Sequence, residues 1–310
     1  MKWLYLTDDY CWHEFGVKRS LYEELSRRVP VELCFYDDFH PEARYGARMQ
    51  RMGAGPLFER AQSGGYSHVL FASSGLAFDL PLMAALRERA VLVGFGFSDP
   101  RFVEFSHQHW HLFDCYFSLS SAVAQQARQA GLRAGVMWPS VHPGFHDQFR
   151  VDPAHAEYDL IFMGNLATHP DAALRRRTLD TLREAGHRVC TIGQGGSAGR
   201  LGGEDLIRAL ARGRVGLNIM DENSTLPHRL FEYAAVGLCV VTTATPDIAD
   251  AFSVGDEIVP YEPAALDALL KDQDRCARVG AAGHERCVRD HTIAARVDDI
   301  MRTVDACGQR

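Results

Sequence analysis

The chain has 310 residues, of which 46% are hydrophobic and 24% charged, and a formal net charge of −7. This length accommodates two domains of ordinary size, and this composition excludes a disordered chain. The acidic balance gives no basic field for nucleic acid, and no apolar run approaches the ~18 residues that a membrane-spanning helix needs. We therefore expect a globular protein with no nucleic-acid partner and no transmembrane segment.

Cysteine usage and the N-terminus indicate a cellular compartment. The eight cysteines are widely spread and form no CxxC pair, which favours reduced thiols over a disulfide framework or a cysteine zinc site. The opening "MKWLYLTDDY" lacks the longer apolar region and the small-residue cleavage site of a signal peptide. Both features predict a cytoplasmic protein.

Short β-branched or aromatic runs alternate with helix-period segments along the first half, which is typical of α/β proteins with parallel sheets. The predicted strands are "KWLYLTD", "VELCFYD", "SHVLFASS", "AVLVGFGFSD", "DCYFSLS" and one near "AGVMWP". The predicted helices are "VKRSLYEELSRR", "LPLMAALRER" and "AVAQQARQAG". A polar stretch rich in Pro and His, at roughly 140–157, shows no periodicity and is the predicted interdomain linker.

The same rhythm restarts after that stretch. The predicted strands are "YDLIFMGN", "HRVCTIGQG", "RVGLNIM", "LCVVTT" and "DEIVPY". The predicted helices are "DAALRRRTLDTLREAG", "GEDLIRALARG", residues 227–236 and two final helices. The predicted fold is therefore α/β, with two Rossmann-like parallel-sheet domains facing across a cleft, residues 1–145 and 146–310. The last helix is expected to be able to pack back on the N-terminal domain.

The helix predicted over 227–236 has the signals of a helix start and stop. Pro227 suits the first turn, Ser224 or Thr225 can cap it, and Gly237 breaks the run before the next strand.

That helix carries one acid, Glu232, which shares a face with His228 and Arg229. A helix N-terminus favours a phosphate, and a carboxylate one turn further in can accept two ribose hydroxyls. The arrangement fits a nucleoside diphosphate. The alternative is a surface pair of Glu232 with His228 or Arg229, worth ~0.2–0.5 kcal/mol.

The segment "DENSTLPHRLFEYAAVGLCVVTTATPDIADAFSVGDEIVPY" resembles the donor-binding segment of GT-B glycosyltransferases, in particular CgeB-like (spore-maturation type) proteins related to glycosyltransferase family 4. Their pattern is an R-x-F-E-x-x-x-x-G helix, an apolar strand, and then f-x-x-G-x-E-I-x-x-Y. It occurs here at Arg229, Phe231, Glu232 and Gly237, and then at Phe252, Gly255, Glu257, Ile258 and Tyr261. The resemblance covers residues 158–300 well and the N-terminal half only in architecture.

The resemblance implies a retaining, metal-independent transfer from a nucleotide-diphosphate sugar, most readily UDP- or GDP-linked, with no cofactor. The acceptor is an unknown glycan, protein or small molecule. Glu232 matches the second glutamate of the E-x7-E motif of glycosyltransferase family 4, which binds the ribose of the nucleotide. The first glutamate falls at Ser224, and we expect Ser224, Thr225 and Leu226 to contact the donor.

The family's basic pair for the diphosphate follows the first strand of the second domain, but here that position has Gly164 and Asn165. These two residues are expected to contact the donor through the loop. His228, Arg229 or Arg175 would then replace the basic pair, and His228 and Arg229 are predicted catalytic residues.

Three further residues are site candidates. Asp99, in "FSDPRF", is predicted to orient the acceptor or the donor sugar, or else to belong to a plain Ser-Asp-Pro turn. Gly16 brings backbone N–H groups near the phosphates, or simply starts a helix. Gln194 in the glycine-rich loop 193–203 is a possible contact to the nucleobase.

The run "SHQHWH" is not expected to bind a metal, because no acid or cysteine completes the set of ligands. Two other functions remain open. One is a sugar-nucleotide-binding partner protein without catalysis. The other is a sugar-nucleotide 2-epimerase, which needs additional carboxylates for its elimination chemistry. The sequence shows no pair of acids placed for that chemistry.

Overall fold

The computed structural model describes residues 1–7, 16–35, 60–72, 80–96, 107–220 and 225–307. The chain divides into two compact units, Met1–Trp138 with Ile293–Arg310, and Pro139–Thr292. Among the described helices, none has the length and apolar character that crossing a bilayer requires.

The first unit is built on a parallel sheet. Its strands are β1 (Trp3–Thr7), β2 (Val31–Phe35), β3 (His68–Ala72), β4 (Val91–Gly96), β5 (Cys115–Ser118) and β6 (Arg133–Val136). They form a six-stranded sheet in the order β2-β1-β3-β4-β5-β6. The helices that accompany these strands are α1 (Val17–Ser26), α2 (Leu80–Arg87) and α3 (Ser121–Gln129).

Both faces of this sheet are buried. Leu4 and Leu6 of β1 belong to one hydrophobic cluster, and Trp3 and Tyr5 belong to another. Strands covered on both faces have no need of polar alternation, which explains the continuous apolar runs in the sequence. The C-terminal helix α11 (Ile293–Asp305) packs in the second of these clusters through Ile293, Val297, Ile300 and Val304.

The second unit also contains a parallel sheet. Its strands are β7 (Tyr158–Met163), β8 (Val189–Ile192), β9 (Gly213–Asn218), β10 (Cys239–Thr242) and β11 (Val259–Pro260). They form a five-stranded sheet in the order β11-β10-β9-β7-β8. The predicted α/β class with two parallel-sheet domains is therefore confirmed.

The second unit contains the helices predicted between its strands and also short helices that were not predicted. They are α4 (Pro143–His146), α5 (Ala172–Glu184), α6 (Gly203–Leu210), α7 (His228–Val236), α8 (Ile248–Ala251), α9 (Pro263–Lys271) and α10 (Gln273–Asp290). The predicted linker at 140–157 thus contains α4, followed by two short 3-10 turns.

The prediction of two helices after β11 is wrong, because three are present: α9, α10 and α11. Asp272 separates the first two. Its backbone leaves the helical region at φ −89° and ψ 81°, and its side chain accepts a hydrogen bond from the Arg275 N–H, which caps α10.

Helix α7 begins one residue later than predicted. Pro227 is the N-cap, with extended backbone angles of φ −82° and ψ 156°, and no side chain caps this helix. The expected cap from Thr225 is therefore wrong, and Ser224 lies outside the described residues. The predicted end is confirmed, because Gly237 adopts a left-handed conformation with φ 85°.

The two ends of the second unit are joined by hydrogen bonding. Val141 forms a parallel bridge with Thr292, and the Val141 N–H donates to the carbonyl oxygen of His291 at 2.9 Å. The chain therefore enters and leaves this unit at neighbouring positions.

A close contact with Gly216 fixes the distance of α7 from the sheet. A Cβ atom built on Gly216 of β9 would lie 2.6 Å from Cγ and Cδ2 of Tyr233. The Tyr233 ring has no room to retreat, because its hydroxyl oxygen accepts a hydrogen bond from the Met163 N–H at 2.5 Å.

We predict that Gly216→Ala destabilises the protein by about 1–3 kcal/mol, the range for overpacking a core. Urea unfolding measures the change. Gly144→Ala in α4 is the matched control, because a Cβ there meets nothing within 4 Å. Equal stability of the two variants would contradict the close packing of α7 on β9.

Candidate functional site

The strand order of the second sheet reverses at the neighbouring pair β7 and β9. From β7 the chain moves outward to β8, whereas β9, β10 and β11 are added on the other side of β7. Parallel sheets of this kind bind ligands in the crevice that opens at the carboxyl ends of the strands where the order reverses. In the second unit, this position is bordered by the residues that follow β7 and β9.

The loops after β7 and β8 approach each other closely. The Gly164 N–H donates to the Ile192 carbonyl at 2.8 Å, and the Leu166 N–H donates to the Gln194 carbonyl at 2.8 Å. Gly193 has φ +120°, and a Cβ built on it would lie 2.3 Å from the carbonyl oxygen of Gly164. A side chain at 193 is excluded by both conformation and space.

The side chain of Asn165 builds the loop in which it lies. Its Oδ1 accepts hydrogen bonds from the N–H groups of Ala167 at 2.8 Å and Thr168 at 2.9 Å. Its Nδ2 donates to Thr168 Oγ1 at 2.8 Å and to Gln194 Oε1 at 3.3 Å. The same Oε1 accepts from Arg200 Nη2 at 2.8 Å. Among the described residues, Gln194 Nε2 has no hydrogen-bond partner.

Arg175 of α5 connects the loops after β7 and β9. It is 2% exposed, and its nitrogens donate to the carbonyl oxygens of Ile219 and Asn165, each at 3.3 Å. Its Nη2 pairs with Asp171 at 3.3 Å. Burial lowers the pKa of Arg175. Because Nε, Nη1 and Nη2 are all engaged, this side chain braces the edge of the sheet.

Arg229 lies in the first turn of α7 and is half-buried. Its Nε donates to Oδ1 of Asn218, the last residue of β9, at 2.6 Å. Its guanidinium carbon lies 5.9 Å from the centroid of the Phe162 ring, within the range of a cation–π contact. Burial lowers the pKa of Arg229 to about 10. Within the described chain its Nη1 and Nη2 make no hydrogen bond or ion pair.

Glu232 lies one turn further along α7 and is also half-buried. Burial raises the pKa of its carboxyl group to about 7, and the charge of Arg229 opposes this rise. In the part of the chain that the structure describes, the Glu232 carboxylate has no hydrogen bond and no ion pair. A surface pair with His228 or Arg229, the simpler alternative from the sequence, is therefore not formed.

The remaining predicted residues near α7 differ in exposure. His228 is the first residue of the helix and is exposed, and Thr225 is half-buried. Leu226 is only 1% exposed, so its side chain belongs to the core and only its backbone can meet a ligand.

Two of the predicted site residues, Gly16 and Asp99, lie in the part of the chain that forms the first unit. Gly16 is buried and is the N-cap of α1, and its carbonyl accepts from the Ser20 N–H at 2.9 Å. Asp99 lies outside the described residues, as does Ser224. Their predicted roles therefore stay predictions.

Asn218 and Thr242 contribute to the site and were missed from the sequence. Asn218 Nδ2 donates to Thr242 Oγ1 at 2.8 Å, and both side chains are buried. The available signal was a polar residue that ends an otherwise apolar strand, at the edge where ligands bind. No group of three or more His, Cys, Asp or Glu side chains that could hold a metal ion occurs among the described residues.

Comparisons with known proteins place this site in context. Residues 175–302 match the model of a family described as glycosyl transferase-like. HepE (Alr3699) of Anabaena, crystallised with UDP and glucose, is 13% identical with a TM-score of 0.65, and the match covers 99% of this chain and 100% of that one.

Two further solved structures show the same likeness. A glycosyltransferase of Rickettsia africae is 10% identical with a TM-score of 0.62, over 99% of this chain and 98% of that one. Sucrose-phosphate synthase of Thermosynechococcus elongatus is 13% identical with a TM-score of 0.62, over 99% of this chain and 100% of that one. No curated protein sequence matches. The chain therefore has the GT-B fold of glycosyltransferases, and its residues 175–302 are similar to the glycosyl transferase-like family.

Proposed function

We propose that this chain is a glycosyltransferase that moves a sugar from a UDP- or GDP-linked donor to an acceptor hydroxyl, with retention and without a metal ion. The observation that carries the proposal is the pair Arg229 and Glu232 at the edge where the sheet order reverses. Within the described chain, the terminal nitrogens of Arg229 and the carboxylate of Glu232 make no hydrogen bond or ion pair. The match of residues 175–302 to a glycosyl transferase-like family and the fold shared with the UDP-bound HepE support it.

In this proposal the donor lies across the start of α7. The N-terminal N–H groups of the helix and the Arg229 guanidinium bind the diphosphate, with His228 beside them. Glu232, one turn further in, accepts hydrogen bonds from the two ribose hydroxyls. The likeness to CgeB-like and family 4 proteins, which rests on Arg229, Phe231, Glu232 and Gly237, supports this placement.

The chemistry requires charge stabilisation above all. The bond from the anomeric carbon to the phosphate oxygen breaks, and a bond from the same carbon to the acceptor oxygen forms on the same face. Negative charge develops on the leaving diphosphate, where Arg229 is placed to stabilise it. The leaving phosphate takes the proton of the acceptor hydroxyl, so the reaction needs no separate protein base.

A second candidate is a sugar-nucleotide-binding protein without catalysis. The observation that favours it is Ser224, which stands where glycosyltransferase family 4 has the first glutamate of its E-x7-E motif. Incubation with a radiolabelled donor separates the two functions. An enzyme transfers the sugar to acceptors or slowly to water, whereas a binding protein leaves the donor intact.

We expect one nucleoside diphosphate among UDP, GDP, ADP and dTDP to bind without metal, and Glu232→Ala to weaken it by about 1.5–3 kcal/mol, or roughly 10- to 150-fold. The reason is the loss of charged hydrogen bonds to the ribose. Isothermal titration calorimetry measures both affinities. Glu184→Ala, at the exposed end of α5, is the matched control. Unchanged affinity in a folded Glu232→Ala variant would return this carboxylate to a structural role.

We expect nucleotide affinity to depend on pH through Glu232, because hydroxyls donate to the ionised carboxylate. The raised pKa of about 7 means that most of the carboxylate is protonated at pH 6 and ionised at pH 8. Affinity should therefore rise about tenfold between these values and level off above them. Titrations of the wild type and of Glu232→Gln in the same buffers separate this effect from ionisation of the nucleotide. Parallel pH profiles for the two proteins would show that Glu232 does not bind the ligand in its charged form.

A further inference from the structure

The separation of Arg229 from Glu232 needs an explanation. Arginine and glutamate three residues apart on a helix are neighbours and commonly form an ion pair. Here neither a hydrogen bond nor an ion pair joins them, although both are half-buried and burial favours pairing of opposite charges. Another contact must therefore hold the arginine elsewhere.

That contact is the side-chain amide of Asn218. Arg229 Nε donates to its Oδ1 at 2.6 Å, which is short for a bond from a guanidinium to a neutral acceptor. The guanidinium also lies over the Phe162 ring of β7. Arg229 is thus held against the ends of β7 and β9, and among the residues that the structure describes its terminal nitrogens have no partner.

The orientation of the Asn218 amide is itself fixed. Its Nδ2 faces two acceptors, Thr242 Oγ1 at 2.8 Å and Met220 Sδ at 3.2 Å. Thr242 donates its own hydroxyl proton to the Thr243 carbonyl at 3.0 Å, so its oxygen is free to accept from the amide. Because both amide hydrogens have acceptors, Oδ1 must face the arginine.

We propose that Asn218 is a positioning residue that holds Arg229 away from Glu232, so that the guanidinium and the carboxylate both remain available to a ligand. The role in ligand binding rests on the proposed function, whereas the separation itself does not. A neutral amide suits this task, because it orients the guanidinium without neutralising its charge. A carboxylate in the same place would bind the arginine more strongly but would cancel part of the positive charge that a diphosphate needs.

Several neighbouring titratable groups influence the pKa of Arg229. Arg175 and Asp171 of α5 lie near enough to influence its pKa, as do Tyr233 and Glu232. The elements packed against α7 carry further titratable side chains, which include Glu204, Asp205, Arg208, His146, Asp147, Arg214, Asp274, Arg275, Arg278, His284, Glu285, Arg286, Arg289 and Asp290. Of all these groups, Arg229 is the one whose charge opposes the raised pKa of Glu232.

The decisive measurement is the pKa of Glu232 in Asn218→Ala, obtained from an NMR titration of the carboxyl carbon. The Glu232 resonance is assigned by its loss in Glu232→Gln. Once released, Arg229 should move onto Glu232 and lower its pKa by about one unit or more, the effect of an opposite charge at close range. Affinity for the nucleoside diphosphate that binds the wild type should fall at least about tenfold, since the pair then has to be broken.

Two variants control for structural effects. Thr243→Ala removes the hydrogen bonds between Thr243 Oγ1 and the Met220 backbone, each 3.1 Å, at the same sheet edge. It should lower the melting temperature and leave the pKa of Glu232 unchanged. Asn218→Asp keeps an acceptor for Arg229, so it should not lower the pKa of Glu232, and it provides the test if Asn218→Ala does not fold.

The outcomes separate the two proposals. An unchanged pKa of Glu232 in folded Asn218→Ala, or a lowered pKa in Asn218→Asp, would overturn the positioning role. Failure of every nucleoside diphosphate to bind the wild type would overturn the proposed function alone, because the NMR titration requires no ligand.

Discussion

The parallel pairing of β7 with β9 is the contact on which the rest of the second unit depends. A parallel pair requires a long crossover between its strands, so residues far apart in sequence reach one edge together. The register that pairs Phe162 with Leu217 places the loop at Gly164 next to the strand end at Asn218. Helix α7 then packs on the same pair through Tyr233 and Gly216, which fixes its first turn above that edge.

The two arginines at this edge, the buried Arg175 and the half-buried Arg229, differ in the partners that the protein gives them. Arg175 donates to two carbonyl oxygens and pairs with Asp171, so its charge is satisfied within the protein. Arg229 receives a neutral amide and an aromatic ring, and the Glu232 carboxylate beside it has no hydrogen bond or ion pair in the described part of the chain. Half-buried charges left in this state oppose folding, and in the proposed function a nucleoside diphosphate supplies the missing partners. This chemical contrast is the reason for proposing Arg229 as a binding group and Arg175 as a structural one.

Sequence patterns predicted the elements well, because buried parallel strands read as apolar runs and α7 has a clear period ending at Gly237. The count of two helices after β11 was wrong, because α9 and α10 are separated by the single residue Asp272, whose side chain caps α10. Asn218 was missed for a deeper reason. Its significance lies in a contact with Arg229 across the interface between strand and helix, and no local pattern encodes which side chain a strand-end amide will meet. Asp99 and Ser224 lie outside the described residues, so their predicted roles stay predictions.

The joined ends of the second unit have an evolutionary consequence. Because Val141 hydrogen-bonds to the segment at His291 and Thr292, this unit has the form of an insertion whose two junctions are already adjacent. Inserting a segment of this kind places little strain on the host chain, whatever its length. Recombination could therefore exchange the whole second unit, from one junction to the other, while the sheet of the first unit and its helix α11 keep their own connectivity. Such exchange would give the two units of one polypeptide separate genetic histories.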